Sequence, residues 1–182
     1  TLSGQEIWFD KDIQRLNDQG RGLYLGEFHA DDSLLAINRN GTFCTTNFDL
    51  SNRYQEEVLF IEKMDPEKTF SAVYYDSDAE AYYVKRFRFE SSENMVQSFI
   101  GEGEGSYLVA ISSDKNPVVK VTFGKKQEKR PPQEINVTEF IGEKSFRAKG
   151  KRITTFQVEK IEFCESASAN EDTLPDNGDD GS

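Results

Sequence analysis

The sequence has few of the residues that build most catalytic or metal centres. It contains two cysteines, Cys44 and Cys164, and one histidine, His29, in 182 residues. A disulfide framework or a cysteine-based zinc site needs more cysteines in closer pairs. A nucleophilic triad has no support either, because no serine or cysteine can be paired with His29 from the sequence. We therefore expect no catalytic residue, no metal and no cofactor in this chain, and a reducing, cytoplasmic setting.

Long apolar segments and helical periodicity are also missing. No apolar run approaches the ~18 residues of a membrane-spanning helix, and we find neither a signal peptide nor an amphipathic helix of normal length. The chain begins at Thr1 rather than Met, so we expect a piece of a longer protein. What remains is 12% aromatic and mostly Phe and Tyr, a composition typical of half-buried strands. The sequence predicts an all-β protein.

Four similar segments each contain two β-prone runs joined by a turn. In the first, residues 32–50, Asn40-Gly41 separates the runs and predicts a hairpin with a type I′ turn. Residues 70–84, 107–123 and 145–158 have the same form and predict three more hairpins. The turns recur roughly every 35–40 residues, a period that predicts propeller-like blades.

The net charge is −11, and the charged residues are distributed unevenly along the chain. Residues 1–67 contain 6 basic and 13 acidic side chains, whereas residues 115–152 contain 11 basic and 4 acidic ones. From residue 161 onward there are 7 acidic residues and no basic one. Residues 165–182 have too few apolar side chains for burial to offset the conformational entropy that ordering would cost. We therefore predict a domain over residues 1–164 and a disordered acidic tail over 165–182.

The basic residues are the strongest functional signal. Residues 84–89 alternate, which predicts Phe87 and Phe89 in the core and Arg86 and Arg88 outside. Cations at strand ends and turns of successive repeats would line one rim and follow a phosphate backbone without reading bases. Solvated strand faces and loops explain the same composition equally well. The predicted DNA-binding residues are Lys85, Arg86, Arg88, Lys120, Lys125, Lys126, Lys129, Arg130, Lys144, Arg147, Lys149, Lys151 and Arg152.

Three stretches resemble a known family. Residues 32–41 (DSLLAINRNG), 20–28 (GRGLYLGEF) and 146–153 (FRAKGKRI) resemble the C-terminal domain of the A subunit of DNA gyrase and topoisomerase IV. The similarity extends over about residues 4–163 and is strongest to the topoisomerase IV-type A subunits of the Bacteroidetes group. It implies a β-pinwheel of about four blades. It also implies binding and bending of double-stranded DNA, which is presented for strand passage.

The resemblance also sets expectations about the parent enzyme. It implies a cytoplasmic, nucleoid-associated type II topoisomerase of A2B2 composition, in which this fragment is not itself an enzyme. The cleavage tyrosine, ATP and Mg²⁺ are expected elsewhere in that assembly. Gln19, Gly20, Arg21 and Gly22 are a degenerate version of the box that gyrase needs for wrapping, so bending is favoured over chiral wrapping. The alternative is a propeller-like module that binds proteins.

Overall fold

The computed structural model describes residues 4–124 and 130–165. Within them the chain forms four antiparallel sheets and one four-residue helix. This confirms the predicted all-β pinwheel of about four blades, and we number the sheets as blades 1 to 4 in chain order. The elements are β1 Gln5–Asp10, β2 Arg15–Asn17, β3 Leu23–Phe28, β4 Leu34–Asn38, β5 Thr42–Thr46, β6 Val58–Lys63, β7 Thr69–Asp76, β8 Ala81–Arg88, β9 Gln97–Ser98, β10 Tyr107–Ser112, β11 Val118–Phe123, β12 Gln133–Asn136, α1 Val137–Phe140, β13 Lys151–Arg152 and β14 Val158–Phe163.

Three strands have the same arrangement in every blade. The first two form a hairpin, and a later strand pairs with the other side of the first, giving β2-β1-β3, β5-β4-β6, β8-β7-β10 and β12-β11-β14. Blades 2 and 3 each have a fourth strand, which comes after the hairpin of the next blade in the sequence. Here β9 pairs with β5, and β13 pairs with β8. Consecutive blades are therefore interlocked by the chain.

We call the stretches that come back to the preceding blade returning segments. Residues 90–101 contain β9 and cover β5, and residues 143–153 contain β13 and cover β8. Residues 47–57 return to blade 1 without pairing as a strand. There the side chains of Gln14 and Arg15 donate hydrogen bonds to the carbonyls of Tyr54 and Leu50, at 3.1 and 3.5 Å.

The turn of the first predicted hairpin is not of type I′. The β4–β5 hairpin is present, and residues 39–41 join its strands. Only Gly41 has a positive φ, +84°, whereas a type I′ turn needs positive values at both central residues. A three-residue connection that ends in a left-handed glycine corresponds to a type I turn followed by a bulge. The loop is one residue longer than the Asn-Gly signal predicted.

Of the other three predicted hairpins, residues 70–84 form β7 and β8 as expected, and two predictions are wrong. Strand β10 pairs with β7 and β11 pairs with β12 and β14, so the runs of residues 107–123 lie in different blades. Residues 145–150 contain turns, β13 pairs with β8 of blade 3, and Val158 begins β14, which pairs with β11 of blade 4. Gly150 permits this approach, because it has φ +93° and a Cβ there would lie 2.5 Å from the Val84 carbonyl oxygen. These pairings are non-local, so a local turn signal cannot identify them.

Three hydrophobic clusters fill the spaces between consecutive blades. Ile7 and Val58 belong to the cluster between blades 1 and 2, Phe43 and Phe87 to that between blades 2 and 3, and Val121 to that between blades 3 and 4. Blades 2 and 3 are therefore buried on both faces, and β4 is buried along its whole length. In the described part of the chain, no cluster joins blade 4 to blade 1.

The described strands lie within the predicted domain of residues 1–164, whose boundaries stay a prediction. The predicted acidic tail lies outside the described residues, apart from Glu165. The described helix α1 has four residues and is too short to cross a membrane.

Candidate nucleic-acid interface

The edge of blade 3 is formed by strand β8 and the returning segment 143–153. The Lys144 N–H donates to the Arg86 carbonyl at 2.9 Å, and the Ile153 N–H donates to the Tyr82 carbonyl at 2.9 Å. Between these bonds, β13 pairs with β8. The segment is thus fixed along most of β8 by its backbone, and its side chains lie at the rim of the blade.

Seven of the predicted DNA-binding residues meet on this edge. Two come from β8, and five come from the returning segment, where all five side chains are exposed. The segment contains a single acidic residue, Glu143. We call this group the cationic ledge: Arg86, Arg88, Lys144, Arg147, Lys149, Lys151 and Arg152.

The ledge presents cations on both faces of the blade edge. Lys151 lies opposite Val84 and Arg152 lies opposite Tyr83 in the antiparallel pairing. Directly opposed residues project to the same face, so Lys151 shares the face of Val84 and Arg152 that of Tyr83. The Lys149 ammonium is also on the Tyr83 face, 4.8 Å from the centre of that ring. A polyanion following the ledge would therefore meet positive charge on either side of the edge.

Carboxylates partly neutralise two ledge residues. Arg88 contacts Glu67 at 3.2 Å and Glu143 at 3.1 Å. The Lys149 ammonium lies 3.3 Å from Asp76, whose hydrogen bond raises the pKa of Lys149. Burial opposes ionisation of Asp76, but hydrogen bonds from the Ala79 N–H and Lys149 outweigh it and lower the pKa of Asp76. Arg88 and Lys149 are therefore the less available cations.

The other five ledge residues have no carboxylate within 4 Å among the residues that the structure describes. Their positions are set by uncharged contacts instead. Arg147 lies over the Phe146 ring at 4.4 Å, Lys151 over the Phe140 ring at 4.2 Å, and the Arg152 Nε donates to the Thr154 carbonyl at 3.0 Å. The five cations without a close carboxylate are Arg86, Lys144, Arg147, Lys151 and Arg152. Four of them are exposed, whereas Arg86 is half-buried and its Nε has no hydrogen-bond partner within the described part of the chain.

Lys85 does not belong to this surface. Its side chain is 2% exposed and lies among the aromatic residues between blades 2 and 3. The alternation of β8 explains this position, because Lys85 shares a face with Phe87 and not with Arg86 and Arg88. A residue buried in this way cannot contact a duplex, so we remove Lys85 from the predicted DNA-binding set.

The remaining predicted cations do not join the ledge. Lys120 is on blade 4, where Glu134 and Glu162 lie opposite it on the two neighbouring strands. Arg130 lies over the Phe156 ring, 3.6 Å from its centre. Lys125, Lys126 and Lys129 lie outside the described residues.

Blade 2 has no equivalent of the ledge. Its returning segment, residues 90–101, occupies the same place as residues 143–153 in blade 3 but contains Glu90 and Glu93 and no Lys or Arg. The predicted rim of cations from successive repeats is therefore, among the described residues, a ledge on one blade.

The gyrase-box-like loop lies away from the ledge, between β2 and β3 of blade 1. Asn17 closes it by accepting hydrogen bonds from the Gln19 and Arg21 N–H groups. Gly20 and Gly22 supply the left-handed conformations at φ +82° and +93°. Arg21 is 4.0 Å from Asp10, which offsets its charge. This loop and the ledge are separated by blade 2.

Within the described residues, the acidic side chains and His29 do not form a metal-binding group. His29 is exposed in the turn before β4. Within residues 4–124 and 130–165 no group of three His, Cys, Asp or Glu side chains could hold a metal ion. The sequence analysis did not identify Asp76 and Glu143 as partners of ledge cations, because both contacts join residues far apart in the chain.

Comparison with known proteins identifies the family. No curated protein matches the chain. Among solved structures, the crystal structure of the C-terminal domain of DNA topoisomerase IV is similar at 16% identity and a TM-score of 0.45, covering 81% of this chain. This chain spans 58% of that one. The family model described as topoisomerase C-terminal domain, Bacteroidota, matches residues 15–165. The chain therefore belongs to the Bacteroidota family of topoisomerase C-terminal domains.

Proposed function

We propose that this domain binds double-stranded DNA through the cationic ledge and bends it, as the non-catalytic C-terminal domain of a type II topoisomerase A subunit. Family membership supports the link to a topoisomerase. The observation that carries the proposal is the meeting on one edge of blade 3 of five cations that have no carboxylate within 4 Å among the described residues. The parent enzyme, with its A and B subunits, its ATP and Mg²⁺, and its place near the nucleoid, belongs to the same proposal.

The chemistry of the ledge suits phosphates better than bases. Its side chains are lysines and arginines at a strand edge, whereas base readout in the major groove requires an inserted helix or ribbon. Five phosphate contacts would give a slope of log K against log salt of about −4.5. Cations on both faces of the edge neutralise phosphates on one side of the duplex. The bare phosphates of the other side then repel one another and favour bending round the edge.

Paired triple variants test the DNA-binding surface. Arg147→Glu, Lys151→Glu and Arg152→Glu together reverse three free ledge cations. Lys11→Glu, Lys115→Glu and Lys160→Glu change the net charge equally at exposed positions on other parts of the molecule. In a gel shift with a 30-base-pair duplex at low salt, we expect the ledge variant to bind much more weakly and the control to retain most of its binding. Equal losses would show that total charge, not the ledge, determines binding.

End-labelled duplex tests bending separately. Energy transfer between dyes on the two ends should rise when the wild-type domain binds, because a bend brings the ends together. Binding without a change in energy transfer would show that the ledge binds duplex DNA but does not bend it.

A second candidate function rests on blade 2. Met95 and Val96 are 66% and 57% exposed on the returning segment, beside the acidic residue Glu93. An exposed apolar pair with an acidic neighbour suits a partner protein with a basic and apolar surface. If this function is the main one, Met95→Ser with Val96→Ser should abolish capture of topoisomerase subunits and leave duplex binding unchanged.

A further inference from the structure

Lys85 places a positive charge in the core between blades 2 and 3. The side chain is 2% exposed, and no carboxylate lies within 4 Å among the described residues. Burying an ammonium group is costly unless other groups replace its water shell. An apolar residue would fill this position on the core face of β8 without that cost. The groups around the Lys85 nitrogen must therefore stabilise its charge.

Two backbone carbonyls replace the water shell. The Lys85 Nζ donates to the Phe99 carbonyl at 2.5 Å and to the Phe146 carbonyl at 2.6 Å. The rings of Phe87, Tyr74 and Phe99 surround the ammonium at 5.0, 5.9 and 5.9 Å. Cation–π attraction and charge-assisted hydrogen bonds both strengthen in such a site.

The two carbonyls belong to different returning segments. Phe99 follows β9, which covers blade 2, and Phe146 precedes β13, which covers blade 3. One ammonium group on β8 thus holds both segments at the point where they pass into the core. The side chains of Phe99 and Phe146 lie in the same cluster, so apolar packing and the Lys85 hydrogen bonds act at the same place.

Besides the Lys85 bonds, the Phe99 N–H donates to the Gly41 carbonyl, and the Lys144 and Ile153 N–H groups bind β8 near the two ends of residues 143–153. β9 and β13 each pair over only two residues, and residues 145–150 contain turns without ladder pairing. Phe146 is flanked by ledge residues on both sides, with Lys144 before it and Arg147 and Lys149 after it. Release of the Phe146 carbonyl would leave the middle of the cationic ledge attached only at Lys149, whose carbonyl accepts from the Tyr74 hydroxyl and whose ammonium pairs with Asp76.

We propose that Lys85 is a positioning residue, which ties both returning segments to β8 and thereby holds the cationic ledge in its binding geometry. Lys85 does not touch DNA. Its effect on DNA affinity rests on the proposed function of the ledge, whereas its effect on the two segments does not. Its charge supports this role. Burial lowers the pKa of Lys85 to about 8, so the group remains mostly an ammonium ion at pH 7. The ionisable groups in its cluster are the phenols of Tyr74 and Tyr83.

Hydrogen exchange tests whether Lys85 holds the two returning segments. Lys85→Met keeps the length and apolar stem of the side chain but removes the donor, and Lys115→Met removes one charge at an exposed loop as the matched control. We expect amide protection in residues 97–101 and in residues 144–149 to fall about tenfold in Lys85→Met. Protection in β1 and in the control should match the wild type. Unchanged protection in either segment would overturn the proposal.

DNA binding distinguishes this proposal from the one on which it rests. We expect Lys85→Met to lower duplex affinity about fivefold to tenfold while the salt slope stays as in the wild type, because no phosphate contact is removed. A changed slope would mean that Lys85 itself contacts phosphate, against the proposal. If the wild-type domain binds no duplex, the ledge function fails, and the exchange result still decides whether Lys85 holds the segments.

A measurement on the wild-type chain covers the case in which Lys85→Met fails to fold. A buried, doubly hydrogen-bonded ammonium exchanges its protons slowly, so the Lys85 Nζ should give a ¹⁵N–¹H signal at pH 6 and 25 °C. Its protons should show contacts to the ring protons of Phe87 and Phe99. Averaging of the Lys85 signal with those of exposed lysines would overturn the proposal.

Discussion

The burial of Lys85 predicts an unusual rise in stability with pH. Burial lowers the pKa of Lys85 to about 8 in the folded chain, whereas the unfolded chain holds this proton up to the ordinary lysine pKa of 10.5. Between these values the unfolded state binds more protons, so the free energy of unfolding rises with pH. The burial penalty is fully present below pH 8 and is gone above pH 10.5.

The magnitude follows from the two pKa values. A difference of one unit corresponds to about 1.4 kcal/mol, so the whole shift is worth roughly 3 kcal/mol. From pH 7.5 to 9.5, Lys85 should raise the free energy of unfolding by about 2 kcal/mol. The pH range of the measurement should not extend above 9.5. Burial raises the pKa of Tyr54 and Tyr74, so phenol ionisation in the unfolded state lowers stability above about pH 10.

The assay is urea unfolding followed by far-ultraviolet circular dichroism at pH 7.5 and 9.5. Lys85→Met lacks the titrating group, so the other ionisable groups contribute equally to both proteins. We expect the gain in unfolding free energy from pH 7.5 to 9.5 to be about 2 kcal/mol larger in the wild type than in Lys85→Met. Equal pH dependence in the two proteins would refute the reasoning.

Three further predictions concern the ledge. Asp76→Asn frees the Lys149 charge, so duplex affinity should rise and the salt slope steepen by about 0.9 in an anisotropy titration. Gly150→Ala places a Cβ 2.5 Å from the Val84 carbonyl oxygen, and the melting temperature should fall by several degrees. Deletion of residues 165–182 removes acidic charge and no basic charge, so duplex affinity at low salt should increase. An unchanged value in any of these measurements contradicts that prediction.

Local signals were sufficient for the longer strands and for the hairpins that close locally, but not for the strands β2, β9 and β13 of two or three residues. Residues 70–84 fold as the pattern predicts, because β7 and β8 are adjacent both in sequence and in the sheet. The runs of residues 107–123 also form strands, but β10 completes blade 3 and β11 starts blade 4. Strand formation depends on local composition, whereas the choice of partner depends on which edge remains open after earlier blades have formed.

The candidate site was predictable in part. The basic stretch 144–152 was identified from composition. Lys85 was wrongly counted with the exposed cations, although the alternation of β8 puts it on the same face as Phe87. Pairing of Lys149 with Asp76 could not be read from the sequence, since 73 positions separate two residues that only the interlocked blades bring to 3.3 Å. The absence of cations from the returning segment of blade 2 became meaningful only once its equivalence to residues 143–153 was known.

The salt dependence of duplex binding tests the central claim most directly. For the wild-type domain we expect a log–log slope of about −4.5, so affinity falls about 500-fold between 50 and 200 mM salt. The variant with Arg147, Lys151 and Arg152 changed to Glu should show a slope of about −1.8 and a fall of about 12-fold. A wild-type slope close to zero, or the same slope in both proteins, would contradict the account.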